Sequence, residues 1–200
     1  VGMDRKLLIP GGDHLGPLTW VSEPESSAME KAKELVRQFV AAGFTKIHLD
    51  TSMKLGDDAA DKPLATEVIA RRGVELYKVC MEAYEKRLEQ VPDALRPVFI
   101  IGSEVPIPGG AQEEEEGISV TKPEDFADTV QTYKRIFEKN GVADGWKDVI
   151  AVVVQPGVEF GDSQVFLYDR GEAAALCKKL DEYPEVVFEG HSTDYQTKEC

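Results

Sequence analysis

The sequence is poor in the features that announce a nucleotide or a nucleic acid. It has no Gly-x-Gly-x-x-Gly loop and no phosphate-binding lysine motif, which removes the two commonest nucleotide cradles. Positive charge is scarce: 23 Lys and Arg stand against 37 Asp and Glu, a formal net charge of −14. That balance argues against nucleic acid and anionic membrane as partners. A phosphorylated ligand is still open to it, because loop amides and helix N-termini act locally. Cysteine is scarce too. Cys80, Cys177 and Cys200 are odd in number and lack metal-type spacing, a pattern that suits a reducing, cytoplasmic setting. No run approaches the ~18 apolar residues of a membrane span, and the first residues do not read as a signal peptide. Internal repeats and interdomain linkers are also missing, so residues 1–200 are expected to form part of one domain.

What is present is a regular alternation. With 42% hydrophobic residues there is material for a core. The apolar run Leu7–Pro10 gives a first strand that ends in a glycine-rich loop, Gly11–Pro17. Met29, Ala32, Val36, Phe39 and Val40 predict a helix over Ser27–Ala42, stopped by Gly43. A strand over Lys46–Asp50, a helix over Pro63–Leu88 and a strand over Val98–Gly102 follow. Thr121, Pro123 and Glu124 have the form of a capping box opening the next helix, with Thr121 as N-cap. Val149–Val154 is apolar at every position, as in a parallel strand covered on both faces. A helix over Glu172–Leu180 and a strand over Val186–Phe188 close the series. About five strands alternating with four helices imply an α/β fold with a parallel sheet and right-handed crossovers. A closed (β/α)8 TIM barrel needs eight strands and typically ~250 residues. The expectation is therefore a segment of such a barrel, with a small open doubly wound sheet as the rival.

Polar and ionisable residues gather where these strands end. Asp13 and His14 lie in the opening loop, and as neighbours on an extended chain they would diverge, so a loop is needed to bring both to one centre. Asp50 ends the second strand, Glu104 follows the third, Gln155 and Glu159 follow the fourth, and His191, Ser192 and Asp194 follow the last. Such groups at the C-terminal end of strand after strand are what an α/β enzyme site requires. They cost several kcal/mol in a core unless paired. His48 lies two residues before Asp50 on the same strand and is expected to be a hydrogen-bonded inner-layer residue rather than a ligand.

Five motifs, in order, carry a resemblance. They are Gly11–Pro17, Lys46-Ile47-His48-Leu49-Asp50, Glu104-Val105-Pro106 with Pro108-Gly109-Gly110, Val153–Phe160 and Glu189–Gln196. Together they resemble the class II, metal-dependent ketose-bisphosphate aldolases, and most of all the Z-type subunits of tagatose-1,6-bisphosphate aldolase. The resemblance implies a class II aldolase-like TIM barrel in galactitol, N-acetylgalactosamine or tagatose catabolism. It implies an accessory role, in which a catalytic Y-type subunit is the partner, a sugar phosphate the substrate and an oligomer the working form. Some relatives of this architecture are metal-dependent C4-epimerases of ketohexoses, and that alternative stays open. For it, the resemblance suggests a divalent metal, zinc or similar, on His14, His191 and Glu159. Asp13 would then take the C4 hydroxyl proton, Glu104 and Asp50 would handle protons on the other face, and Gln155, Ser192 and Asp194 would bind substrate. One departure favours the accessory role: the middle His ligand of the catalytic aldolases has no counterpart, and Gln155 and Glu159 stand near its place.

Overall fold

The computed structural model describes residues 7–103, 118–161 and 164–197. Strands β1 (Gly11–Leu15), β2 (Lys46–Leu49), β3 (Val98–Ile101), β4 (Val149–Val154) and β7 (Val187–Gly190) form one parallel sheet, in the order β1-β2-β3-β4-β7. Helices α1 (Glu25–Ala42), α2 (Thr66–Gln90), α3 (Pro123–Lys139) and α4 (Arg170–Leu180) connect them. The helices pack on one another in chain order, α1 on α2, α2 on α3 and α3 on α4. The expected alternation of five sheet strands with four helices is present, although the first strand does not lie where it was expected. A two-stranded antiparallel hairpin, β5 (Glu159–Phe160) with β6 (Val165–Phe166), was not foreseen.

The opening strand differs from expectation. Leu7, Leu8 and Ile9 are exposed, and the strand begins after them, at Gly11. The glycines there do not make a loop; they lie in the ladder, Gly11 against Lys46 and Gly12 against Ile47. Gly12 lies close against α1, since a Cβ there would sit 2.7 Å from the Phe39 ring. Thr121 departs as well. The N-cap of α3 is Lys122, and no side chain caps it. The Thr121 hydroxyl instead accepts the Gln155 N–H at 2.8 Å, tying the entry of α3 to the end of β4. Gly43 does stop α1, in the left-handed conformation at φ 96°.

Alternation along the strands divides the sheet into two faces. Ile47, Leu49, Phe99, Ile101, Val152 and Val154 join the helices in the main core. The opposite face carries Ile100, Ala151 and Val153 as a small apolar cluster of their own. Lys46, His48 and Glu189 alternate onto that same face. It is concave. Lys46 on β2 and Glu189 on β7 are three strand spacings apart, roughly 14 Å along a sheet. Their side chains nevertheless meet at 2.7 Å, which requires the sheet to curl as a barrel wall does.

A buried cation fixes the connection after β2. Arg72, fully buried on α2, donates to Glu25 at 2.7 Å, to Asp58 at 2.9 Å and to the Met53 carbonyl at 3.4 Å. Asp57 accepts the Glu25 N–H at 2.8 Å, so the same loop also caps α1. Replacing Arg72 by Ala leaves Asp58 without its cation and Glu25 with Arg71 alone, and should cost about 3 kcal/mol, read as a lower urea midpoint. The hydrogen bond from Arg71, opposed by burial and reinforced by Arg72, lowers the Glu25 carboxyl to about 2. A carboxyl depressed by folding stabilises above its ordinary value, near 4.5, and that contribution is lost as pH falls towards 2. Acid unfolding monitored by circular dichroism should therefore shift to higher pH in Glu25→Gln.

Candidate metal centre at the C-terminal end of the sheet

Three imidazoles meet at the C-terminal end of the strands. Ring centroids are 5.0 Å apart for His14 and His48, 4.7 Å for His14 and His191, and 5.2 Å for His48 and His191. One donor atom from each, and one from Asp13, all lie within 4.8 Å of one another. His14 Nε2 and His191 Nδ1 are 3.0 Å apart, although 177 positions separate them in the chain.

Local backbone makes this convergence accessible. The β1–β2 register shifts between Gly12 and Leu15, and His14 sits in that bulge at φ 48°. The bulge breaks strand alternation, so Asp13 and His14 both reach the concave side without the loop that adjacency demanded. Gly16 then lets β1 close on the end of β2. A Cβ at Gly16 would lie 1.7 Å from the Asp50 carbonyl oxygen. His191 stands just past β7 and is followed by Ser192 at φ 58°.

Each imidazole is paired with a carboxylate of its own. His14 Nδ1 is 3.0 Å from Asp50 Oδ2, His48 Nδ1 is 2.6 Å from Asp13 Oδ1, and His191 Nε2 is 3.4 Å from Glu189 Oε1. With Nδ1–H of His48 donated to Asp13, its Nε2 carries a lone pair. That atom is buried and has no hydrogen-bond partner among the described residues. Carboxylates behind imidazoles, with His14 Nε2 and His191 Nδ1 turned to one another, are the arrangement that orients histidines around a divalent metal. Charge points the same way. With neutral imidazoles, Asp13, Asp50 and Glu189 against Lys46 leave an excess of two negative charges, which a divalent cation would cancel.

The carboxylates are held ionised. The hydrogen bond from His48 puts Asp13 well below the usual carboxylate range, against some burial. Burial pushes Asp50 up, but its bonds to His14 and Ser52 outweigh this and its net shift is downward. Glu189 behaves likewise, with burial outweighed by His191 and Lys46. The hydrogen bond to Glu189 raises His191, opposed by burial and aided by the charge of Asp13.

Of the residues singled out from sequence, Asp13, His14, Asp50 and His191 are brought together. Asp50 is engaged by His14 and by the Ser52 hydroxyl at 2.7 Å, which makes it an orienting group. Glu159 is not part of the cluster. It is buried at the start of β5, where its Oε1 accepts the Phe160 N–H at 3.0 Å. Gln155 turns its side-chain oxygen onto the N–H groups of Gly157 and Val158, at 2.9 and 3.0 Å. Ser192 is half-buried and Asp194 exposed on the loop after β7. Glu104 lies outside the described residues. His48 is hydrogen-bonded on the inner face as expected, but it also belongs to the cluster, which sequence reasoning did not foresee. Glu189 and Lys46 were missed as well. The signal for them was strand alternation: Glu189 shares a face with Val187, and Lys46 with His48.

A curled parallel sheet, helices on its convex side and an ionisable cluster at the C-terminal strand ends define part of a TIM-barrel-like α/β fold. Comparison with known proteins makes the class specific. The family model for D-tagatose-1,6-bisphosphate aldolase subunit GatZ/KbaZ-like proteins matches residues 1–200, and the chain belongs to that family. The GatZ subunits of D-tagatose-1,6-bisphosphate aldolase from Salmonella paratyphi B and Salmonella heidelberg are each 45% identical over 200 residues. The match covers all of this chain and 45% of either relative, so the chain spans somewhat under half their length. A crystal structure of a probable tagatose 6 phosphate kinase from Sinorhizobium meliloti 1021 superposes with a TM-score of 0.80 at 38% identity. That superposition covers 98% of this chain and 44% of the other.

The close approach at Gly16 is directly testable. Gly→Ala changes commonly stabilise by reducing the freedom of the unfolded chain. Gly16→Ala should do the reverse, lowering the melting temperature by roughly 5 °C or more, because the new Cβ meets backbone that cannot give way.

Proposed function

We propose that this chain forms part of the accessory subunit of a D-tagatose-1,6-bisphosphate aldolase, and that its histidine cluster holds a divalent cation. The observation that carries the first half is the match to the GatZ/KbaZ-like family along all 200 residues. In this reading the subunit assembles with a catalytic aldolase subunit and supports its activity and stability. The sugar phosphate is bound where the strands end. No described helix is long and apolar enough to cross a membrane, and the free Cys80 and Cys177 suit the reducing cytoplasm where we place it.

His14, His48 and His191 would hold the cation, with Asp13 beside them as a fourth donor or as the carboxylate behind His48. Three imidazoles with one position left open are a sound set for zinc or a similar ion. His48 thus takes the place that sequence reasoning gave to Glu159. A cation there would act as a Lewis acid towards a sugar carbonyl or hydroxyl. Asp13, ionised and half exposed, is the group within reach to accept a proton from such a ligand. Ser192 and Asp194 on the loop after β7 are proposed to meet the sugar phosphate, and Gln155 to border it. Zinc fits the imidazole donors, and the orphaned His48 Nε2 is the atom that most needs an ion.

The two halves are tested separately. Metal analysis of the purified protein should find about one divalent ion per chain, and His14→Ala should lose it. Chelation should lower the melting temperature of the unmutated protein and leave His14→Ala unchanged. Co-expression with a catalytic tagatose-bisphosphate aldolase subunit should yield a stable complex of higher activity than that subunit alone. Interconversion of tagatose and fructose, or of their 6-phosphates, by this protein alone would favour an epimerase instead.

A further inference from the structure

Among the described residues, Lys46 is the only cation in contact with the cluster, and it makes that contact through another residue. Its Nζ is 2.7 Å from Glu189 Oε2. The other oxygen of the same carboxylate lies 3.4 Å from His191 Nε2. His191 Nδ1 in turn faces His14 Nε2 at 3.0 Å. Lys46 is two residues before His48 on β2, and both alternate onto the concave face. The same short strand therefore supplies one imidazole directly and reaches a second across β3 and β4.

We infer that Lys46 and Glu189 are positioning residues for His191 in the cation site, an inference that rests on the cation reading above. His191 lies beyond the last ladder residue of β7, at the edge of the described sheet, so strand pairing does not fix its ring. Glu189 can fix it, but a carboxylate with one oxygen free would swing between rotamers. Lys46 holds the second oxygen and leaves the first for His191 Nε2. The ring is then aimed with Nδ1 inwards, where the ligand atom is needed. A simple ion pair would do none of this: the pair is partly exposed, and such pairs contribute little to stability.

Coulomb attraction and positioning predict opposite signs for one substitution. Removing the Lys46 charge leaves the site more negative, which by charge alone would tighten cation binding. If Lys46 acts by holding Glu189 on His191, its removal weakens binding instead. The experiment is Co²⁺ titration of the purified protein followed by visible absorption, with melting of the metal-free forms as control. Lys46→Met should bind Co²⁺ about 10- to 100-fold more weakly with a changed ligand-field spectrum, while the metal-free melting temperature moves little. Lys46→Arg, which keeps charge and donor, should recover most of the affinity. Lys46→Gln serves the same purpose as Lys46→Met should the latter fail to fold. Equal or tighter Co²⁺ binding in Lys46→Met or Lys46→Gln overturns the inference. An unmutated protein that takes up no Co²⁺ overturns the cation site itself, and that result is seen before any variant is made.

Discussion

The curl of the parallel sheet is the constraint on which the site depends. β1 and β7 are the outer members of a five-stranded order, yet His14 and His191 touch. A flat sheet of this order would hold their strands roughly 19 Å apart. Curvature turns one face of each strand inward, and there the ionisable residues share a centre. The helices supply the opposite requirement. Val36, Val40, Val74, Val130 and Phe137 are buried on the outer side and press the strands into place. The concave side is thereby left to polar groups that must satisfy one another.

Those groups do so as a set of pairs. Asp50 serves His14, Asp13 serves His48, and Glu189 serves His191 while leaning on Lys46. Each residue comes from a strand or from the first positions after it, so the rigid part of the fold does the aiming and the loops do little. Even the β2–α2 connection is held down, by Arg72 against Glu25 and Asp58. A site built this way is pre-organised before any ligand arrives.

The pattern of elements was legible because it depends on local signals. Val149–Val154 reads as a doubly covered strand, and the helix-stopping role of Gly43 follows from its freedom at positive φ. β1 was not legible, because Gly11, Gly12 and Pro17 are residues of turns and only pairing with β2 makes the segment a strand. The site was half legible. Asp13, His14, Asp50 and His191 could be named from their places at strand ends. His48 was assigned to an inner layer, and the assignment to that face holds. What one dimension could not convey is that the inner face itself carries the cluster, since this follows from curvature. Glu159 misled for the converse reason: it follows β4 in sequence, but the β5–β6 hairpin takes it to a hydrogen bond of its own.

The contact between His14 and His191 has a kinetic side. It closes a loop of 177 residues, and the entropy of such a closure must be spent before the contact returns anything. Parallel sheets with long-range pairings assemble slowly for this reason. The centre can therefore be complete only after every intervening strand has docked. An ion bridging those two imidazoles would act as a latch across the described sheet, fastening β1 to β7.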